Sequence, residues 1–343
     1  MWITRAGAPG YIATVGSVQH FGIDEVHAMT EIGNERWTHP AAILVATNLS
    51  DLDRLMPFAF QMAEETGARL QVLHIIPLSA EFTADATGMP YYDREGALYN
   101  ATNMLQPWCE RARTLGLHCD GLVREGHSVA KEVIAAVRHF KADRLILGTR
   151  APGKLGKLLL GSVAEQVLRS VTLPVFTVGP EAHLHTEDNS RQRTVLFATA
   201  LGEGHRASAA LACQIATNQH ARLVMLHVLP PIDGRKDTEA PNILYSTIQY
   251  EMRHLAKTVN LGHCTDVEIK IVYGNPAIEI LAEAKGLQAG LIVIGAARSS
   301  MLDSITRDRT VCRVLAHARC PVLTLHVAAD TPEQMELETA VQL

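Results

Sequence analysis

The chain has 343 residues, of which 47% are hydrophobic and 20% are charged. This length predicts about two domains of the usual size of roughly 150 residues, and the composition excludes disorder along the whole chain. The net charge of −5 disfavours nucleic acid and anionic membranes as main partners. No apolar run approaches the roughly 18 residues of a membrane span, and the first residues lack a signal-peptide pattern. We therefore expect a cytoplasmic protein that does not engage a membrane.

The cysteines and histidines show no metal-binding spacing. None of the six cysteines lies in a C-x-x-C pair, and none of the sixteen histidines lies in an H-E-x-x-H motif. His183 and His185 come nearest to a cluster, and their polar surroundings are typical of a solvated linker. We expect reduced, mostly buried thiols and no metal site.

An internal repeat divides the chain into two similar units. The matched blocks are 43–50 with 195–202, 67–77 with 220–230, 132–148 with 279–295, and 167–178 with 314–325. Units of this length are globular domains and are too long for turns of a solenoid. The predicted segments are an N-terminal extension over 1–40, a first domain over 41–180, a linker over 181–192, a second domain over 193–328 and an acidic tail over 329–343.

Short apolar runs alternate with segments of helical periodicity in the first unit. The runs predict strands at 42–47, 69–76, 119–124, 143–148 and 174–178. Ser50 is expected to cap the first helix, and Pro107 is expected to kink or divide the second. This order predicts a doubly wound α/β domain, whose parallel sheet binds ligands beyond the carboxyl ends of its strands.

The segment after the fourth strand has the chemistry of an anion site. A strand ends at Gly148, a loop rich in glycine and lysine follows, and a helix begins at Gly161 and Ser162. Free N–H groups at a helix N-terminus, together with the helix dipole and a nearby hydroxyl, bind phosphate, and glycine lets the phosphate approach the backbone. The candidates for additional positive charge are Arg150, Lys154 and Lys157.

The same residues also allow a purely structural interpretation. Ser162 and Glu165 fit an S-x-x-E capping box, and Gly148 fits a tight turn. Both interpretations use the same groups, so the residues alone leave them open.

The spacing of these residues resembles a known family. Gly148, position 151 and the pair Gly161-Ser162 match the nucleotide motif G-x2-G-x9-G-[S/T] of the universal stress protein family, and residues 158–178 are similar to that family's closing helix and strand. The resemblance covers both units and identifies a tandem member. It implies the adenine nucleotide alpha hydrolase-like fold, with a five-stranded parallel sheet of order 3-2-1-4-5. Some family members bind ATP, and the last strand commonly pairs domains.

The resemblance implies a nucleotide site in the first unit, with departures. The matching positions are Asn48, Ile75, Gly148, Ala151, Gly161, Ser162 and Val163. Ala151 replaces the second motif glycine, and Asn48 replaces the acidic residue that ends the family's first strand. An amide can still accept a hydrogen bond from a ribose hydroxyl. Ile75 stands where the family's backbone faces adenine, and a backbone contact tolerates a changed side chain.

The second unit departs further from the motif. Asp308 and Arg309 stand at the positions of Gly161 and Ser162, and Arg298 stands at that of Ala151. An aspartate at a helix N-terminus would satisfy the free N–H groups itself and repel a phosphate. We therefore expect no nucleotide in the second unit.

Other candidate motifs carry no function. Residues 202–207 outline a dinucleotide fingerprint, but the acidic residue that it requires about 20 positions later is missing. His74 and His227 lie at equivalent strand ends, where a hydrogen bond to the backbone is expected. No catalytic triad or carboxylate pair can be assembled from the sequence.

Two hypotheses follow. In the first, the protein is a stress-response regulator that binds ATP or a related adenine nucleotide, with or without Mg²⁺, in the first unit alone. The second unit is then structural and pairs its last strand, 321–327, with 174–178, and a homodimer of chains is also compatible. We expect no enzymatic activity beyond a weak ATPase. In the alternative, the protein acts without nucleotide, through protein–protein contacts.

Overall fold

The computed structural model describes residues 36–37, 39–78, 83–84, 90–91, 93–149, 161–182, 193–202, 205–231, 239–259, 266–297 and 304–327. Several residues singled out above lie outside the described residues, namely Arg150, Ala151, Lys154, Lys157, His183, His185 and Arg298. Most of the N-terminal extension and of the linker, and the whole of the acidic tail, also lie outside them.

Strands and helices alternate through both units. The strands are β1 (Ala42–Thr47), β2 (Arg69–Pro77), β3 (Thr83–Ala84), β4 (Pro90–Tyr91), β5 (Cys119–Gly126), β6 (Arg144–Gly148), β7 (Val175–Val178), β8 (Thr194–Ala198), β9 (Arg222–Leu229), β10 (Val267–Tyr273), β11 (Leu291–Ala297) and β12 (Val322–Val327). The helices are α1 (Leu52–Thr66), α2 (Arg94–Thr114), α3 (Val129–His139), α4 (Ser162–Ser170), α5 (His205–Asn218), α6 (Glu239–Val259), α7 (Pro276–Gly286) and α8 (Ser304–His317). The five strands predicted for the first unit are β1, β2, β5, β6 and β7.

Ten of the strands form one sheet. Its order is β10-β9-β8-β11-β12-β7-β6-β1-β2-β5, and β3 and β4 form a separate short hairpin. Within each unit the strands are parallel, and they follow the order 3-2-1-4-5 when counted along that unit. The predicted fold class, two tandem doubly wound α/β domains, is therefore confirmed.

The sheet is buried on both faces, as a parallel sheet requires. Every residue of β1 is buried, and two consecutive residues of this strand, Leu44 and Val45, belong to two different apolar clusters. Because successive strand side chains point to opposite faces, these clusters are the two layers between sheet and helices. Each layer contains residues of both units, such as Leu44 with Leu196 and Val45 with Phe197.

The two units meet at an antiparallel pair of strands. β12 pairs with β7, with Leu323 opposite Phe176. The Thr177 hydroxyl donates to the Val322 carbonyl oxygen across this seam at 3.1 Å. At the surface nearby, Glu65 of α1 accepts from the Gln219 side chain of the second unit at 3.0 Å. The seam therefore combines a backbone ladder with side-chain hydrogen bonds.

Two local features differ from the expectations. Pro107 does not divide α2, which runs as one helix from Arg94 to Thr114, while the expected kink at Pro107 stays a prediction. Pro107 and Asn103 lie on the exposed side of α2, where water can solvate the carbonyl group that loses its donor. Ser50 does not cap α1, whose N-cap is Asp51. The Ser50 hydroxyl donates instead to Oδ1 of Asn48 at 2.9 Å.

Phe176 tests the packing at the seam. Its ring is 2% exposed, lies 5.7 Å from the ring of Phe58 and lies 5.6 Å beneath the Arg144 guanidinium group. We expect Phe176→Ala to lower the free energy of unfolding by about 3–5 kcal/mol through lost apolar contacts and a cavity. Urea denaturation followed by circular dichroism measures the loss. The control is Tyr99→Ala, whose side chain is 68% exposed; a loss in Phe176→Ala no larger than in this control would contradict the packing.

Candidate functional site

A cleft of 360 Å³ opens at the carboxyl edge of the first unit's strands. It lies where β1 has β2 on one side and β6 on the other, which is the switch point of a doubly wound sheet. Its lining residues are Ala46, Thr47, Asn48, Asp51, Leu73, His74, Ile75, Pro77, Val129, Val133, Leu147, Gly148, Gly161, Ser162, Val163 and Ala164. The structure thus brings together all the predicted nucleotide positions that it describes.

Helix α4 presents its N-terminus to this cleft. Gly161 is the N-cap, with φ of −65° and ψ of 143°, and no side-chain hydrogen bond caps the helix among the described residues. The first N–H groups of a helix have no partner within it. Those of Ser162, Val163 and Ala164, all lining the cleft, are therefore available to a ligand, with the positive end of the helix dipole behind them.

The capping box considered above is wrong. A capping box requires the serine at the N-cap and the glutamate at the third helical position. Because Gly161 is the N-cap, Ser162 is the first helical residue and Glu165 is the fourth, so the two side chains cannot form the box. Glu165 pairs instead with Arg169, one turn later in the helix, at 3.1 Å. The structural interpretation of Ser162 therefore loses its main support.

Gly148 is needed for space. Its backbone does not adopt a positive φ, so its conformation does not require glycine, and the residues from 150 onward that would complete a tight turn lie outside the described residues. A β-carbon built on Gly148 would lie 1.9 Å from Oδ2 of Asp51. Only glycine lets the end of β6 approach the start of α1 this closely.

Asp51 is the cleft residue that the sequence analysis missed. It is 3% exposed, and its Oδ1 accepts hydrogen bonds from the Thr47 hydroxyl at 2.5 Å and from the Asn48 backbone N–H at 3.3 Å. Burial raises the pKa of this carboxyl group, and the hydrogen bond from Thr47 opposes that rise. Its position just before α1 was a signal for a cap, but nothing in the sequence indicated its contact with Gly148.

Asn48 presents a donor to the cleft more readily than an acceptor. Its Oδ1 accepts from the Ser50 backbone N–H at 3.0 Å and from the Ser50 hydroxyl. Because a backbone N–H only donates, the atom that it meets must be the amide oxygen. The Oδ1 acceptor expected to meet a ribose hydroxyl is therefore already used by Ser50, and the Nδ2 amide has no hydrogen-bond partner among the described residues.

His74 makes the backbone contact that was predicted. Its Nδ1 lies 2.9 Å from the Thr47 carbonyl oxygen, and His227 of the second unit contacts Thr199 in the same way at 2.9 Å. A carbonyl accepts, so Nδ1 carries the proton and Nε2 is an acceptor in the neutral ring. Burial lowers the pKa of both rings, which keeps them neutral at pH 7.

The remaining walls of the cleft are apolar. Ile75 extends past the end of β1, because the β1–β2 ladder stops at the pair of Thr47 with His74. Val129 and Val133 of α3 line the same cleft. Helix α3 is capped by its own Ser128, whose hydroxyl accepts from the Lys131 N–H at 3.5 Å. Of the two helix starts α3 and α4, only that of α4 lacks a side-chain cap among the described residues.

The second unit places its equivalent helix differently. We expected Asp308 at the N-terminus of this helix, but α8 begins at Ser304. Asp308 and Arg309 therefore lie inside the helix, about one turn from its start. The expectation that Asp308 occupies the helix N-terminus and repels a phosphate there was wrong. The physical difference is that the helix N-terminus itself is displaced relative to that of α4.

Comparison with known proteins gives the family. The model of the universal stress protein family matches residues 41–179 and again 192–326. The chain belongs to the universal stress protein family. A Thermus aquaticus universal stress protein is 30% identical over 142 residues, which is 40% of this chain and 96% of that protein. A Bacillus subtilis relative, YxiE, is 25% identical over 144 residues, covering 40% of this chain and 97% of its own length.

Solved structures agree with the fold. A universal stress protein from Archaeoglobus fulgidus superimposes with a TM-score of 0.62 at 19% identity, covering 83% of this chain and 98% of that one. A Pseudomonas aeruginosa protein described as functionally unknown gives a TM-score of 0.61 at 20% identity, covering 89% and 99%. At these identities the likeness shows the tandem fold alone.

Two further findings concern metal ions and membranes. In the described part of the chain, no group of three or more His, Cys, Asp or Glu side chains is arranged to hold a metal ion. Within the same residues, none of the helices combines the length and the apolar character needed to span a bilayer.

A double-mutant cycle tests the contact between Gly148 and Asp51. We expect Gly148→Ala to destabilise the protein by about 1–3 kcal/mol, because the added methyl group overlaps the buried carboxylate. In an Asp51→Ala background the same change should cost less than about 0.5 kcal/mol, since the overlapping atoms are gone. Urea denaturation of the four proteins measures the coupling.

Gly290→Ala is the matched control, because the atom nearest to its added carbon lies 3.9 Å away. Equal losses from Gly148→Ala with and without the Asp51 carboxylate would show that the two residues do not meet as described.

Proposed function

We propose that the protein is a cytoplasmic stress-response regulator that binds ATP or a related adenine nucleotide in its first unit. The observation that carries this proposal is the start of α4. Its first N–H groups have no side-chain cap among the described residues, and they lie in a cleft at the switch point of the sheet. Phosphate satisfies such groups and is favoured by the helix dipole.

The rest of the cleft suits the remainder of a nucleotide. Apolar side chains of β2 and α3, such as Ile75 and Val133, form walls against which a flat base can pack. The amide of Asn48 offers donors, and neutral His74 offers an acceptor. The positions Gly148, Gly161, Ser162 and Val163 form the phosphate side in this proposal, with Ala151, Arg150, Lys154 and Lys157 supplied by the loop between β6 and α4.

We propose binding without catalysis. The carboxylate of Asp51 is the acidic group among the lining residues, and its Oδ1 is held by Thr47 and Asn48. Its Oδ2 is packed against the α-carbon of Gly148. A general base must reach a proton of the attacking water. Asp51 is 3% exposed, and burial lowers the pKa of His74, which makes that ring a weaker base. Any ATPase activity is therefore expected to be weak, and Mg²⁺ would be bound through the phosphates.

The second unit has a structural role in this proposal. Relative to the matched positions of the two units, helix α8 begins about one turn earlier in the sequence than α4. In this proposal its first N–H groups therefore lie away from the position that the first N–H groups of α4 take in the cleft. Its last strand covers β7, which would otherwise be an exposed edge. We propose that this pairing holds the two units together in solution, as an intramolecular dimer.

Gly161→Val tests nucleotide binding. The backbone of Gly161 is extended, with negative φ, so valine is tolerated there, but its side chain stands where the phosphate would lie. Wild-type protein titrated with ATP in a calorimeter, with and without Mg²⁺, should bind one nucleotide per chain. Losing a charge-assisted hydrogen bond is worth about 1.5–3 kcal/mol, so the variant should bind at least about 10-fold more weakly.

The matched control is Gly290→Val, a glycine of the second unit that precedes β11 at the opposite edge of the sheet. It should bind ATP as the wild type does. The proposal fails if the wild type shows no heat with ATP and a gently purified sample releases no adenine nucleotide on acid extraction. Two nucleotides per chain would contradict the structural role of the second unit.

One observation favours the alternative, a nucleotide-independent interaction protein. Helix α6 exposes large apolar side chains, with Ile243 67% and Tyr250 68% exposed. Such residues on one helix suit a protein–protein contact. If this alternative holds, Gly161→Val leaves every function unchanged, and no ligand-dependent difference between it and the wild type is measurable.

A further inference from the structure

Two cysteines of the first unit lie in contact, outside the cleft. Cys109 is on the buried side of α2, and Cys119 is the first residue of β5. Their sulfur atoms are 3.5 Å apart, and the Cys119 thiol donates to Cys109. Both are free thiols, 4% and 3% exposed. Nothing in the cleft or in the proposed nucleotide function uses this pair.

The local fold holds the two sulfurs together. Helix α2 ends at Thr114, and a short turn with Gly116 at φ 79° returns the chain into β5. Arg113 donates from Nη2 to the Cys119 carbonyl oxygen at 3.1 Å, which ties the helix end to the start of the strand. A β-carbon added at Gly121 would lie 3.3 Å from the Cys109 sulfur, so the missing side chain at this position of β5 lets α2 pack close to the strand.

The pair is electronically asymmetric. The hydrogen bond from Cys119 lowers the pKa of Cys109, and the nearby positive charge of Arg113 acts in the same direction, while burial opposes both. The pKa of Cys119 is raised by the same hydrogen bond and by burial. Cys109 is thus the better nucleophile, and Cys119 is positioned to react with it afterwards.

We propose that Cys109 and Cys119 form a site of oxidative modification, at which a small peroxide converts the two thiols into a disulfide. The Cys109 thiolate attacks one peroxide oxygen, the O–O bond breaks, and the sulfur becomes a sulfenic acid while hydroxide leaves and takes a proton. The Cys119 sulfur then displaces hydroxide from the Cys109 sulfur and releases its own proton to it as water. Two thiols are oxidised by two electrons, and one hydrogen peroxide is reduced to two waters.

The position of the pair in the sheet gives the oxidant a route. β5 is the edge strand of the ten-stranded sheet, so no strand of the described residues covers it on its outer side. The turn before Cys119 is exposed at His118, and Asp120 on the other side of it is exposed as well. Opening at this edge moves one turn and one helix end and leaves the core strands β1 and β6 in place.

The disulfide would tie α2 to β5 within a short loop. A covalent link of this kind removes conformational freedom from the unfolded chain and raises stability. The oxidised protein should therefore unfold at a higher temperature than the reduced protein.

The experiment treats the full-length reduced protein with hydrogen peroxide and digests it without reductant. We expect mass spectrometry to find one peptide pair joined through Cys109 and Cys119, with two thiols lost per chain by Ellman titration. The oxidised protein should melt at a higher temperature, and dithiothreitol should reverse both changes. Because this readout uses the wild type, it holds even if a variant folds poorly.

The matched variants are Cys109→Ser, Cys119→Ser and, in the second unit, Cys213→Ser at another buried cysteine. The first two should lose the joined peptide and the temperature shift, and the third should keep both. The proposal is overturned if the peroxide-treated wild type holds no Cys109–Cys119 link, or forms it only after denaturation, or oxidises the two sulfurs separately to sulfinic acid.

Discussion

The parallel pairing of β1 with β6 is the constraint on which the site depends. Because neighbouring parallel strands end at the same edge of a sheet, the chain must leave both strands there and start a helix from each. The start of α1 brings the buried carboxylate of Asp51 against Gly148, and the start of α4 brings N–H groups that no side chain of the described residues caps. The cleft contains both helix starts together with the end of β2 and part of α3, so the position of its polar groups follows from the topology.

The sequence was sufficient for the fold and for the predicted nucleotide positions that the structure describes in the cleft, but not for Asp51. Apolar runs placed the strands of the first unit, because a parallel sheet buried on both faces leaves an almost continuous apolar signal. The glycine spacing identified Gly148 and Gly161, which the structure brings to one cleft. The starts of the helices were harder to predict from the sequence. A shift of one residue at Ser162 removes the capping box, and α8 starts about one turn before Asp308. The contact of Asp51 with Gly148 joins distant parts of the chain, so no local pattern indicated it.

The two units share a fold and differ where chemistry would occur. In the first unit, the helix after the fourth strand starts at the cleft with a glycine N-cap. In the second, the matching helix is longer at its N-terminus, and its last strand pairs with the first unit across the seam. Membership of the universal stress protein family explains the common fold. The thiol pair at Cys109 and Cys119 belongs to the first unit alone and lies at the opposite side of β2 from the cleft.

Hydrogen exchange at the start of α4 tests the central claim most directly. In the free protein, the amides of Ser162, Val163 and Ala164 lack side-chain caps among the described residues and should exchange fast. With saturating ATP and Mg²⁺, exchange of these amides should slow, while exchange of the amides at the start of α8 should stay unchanged. Unchanged exchange at the start of α4, or slowing at α8 instead, would contradict that claim.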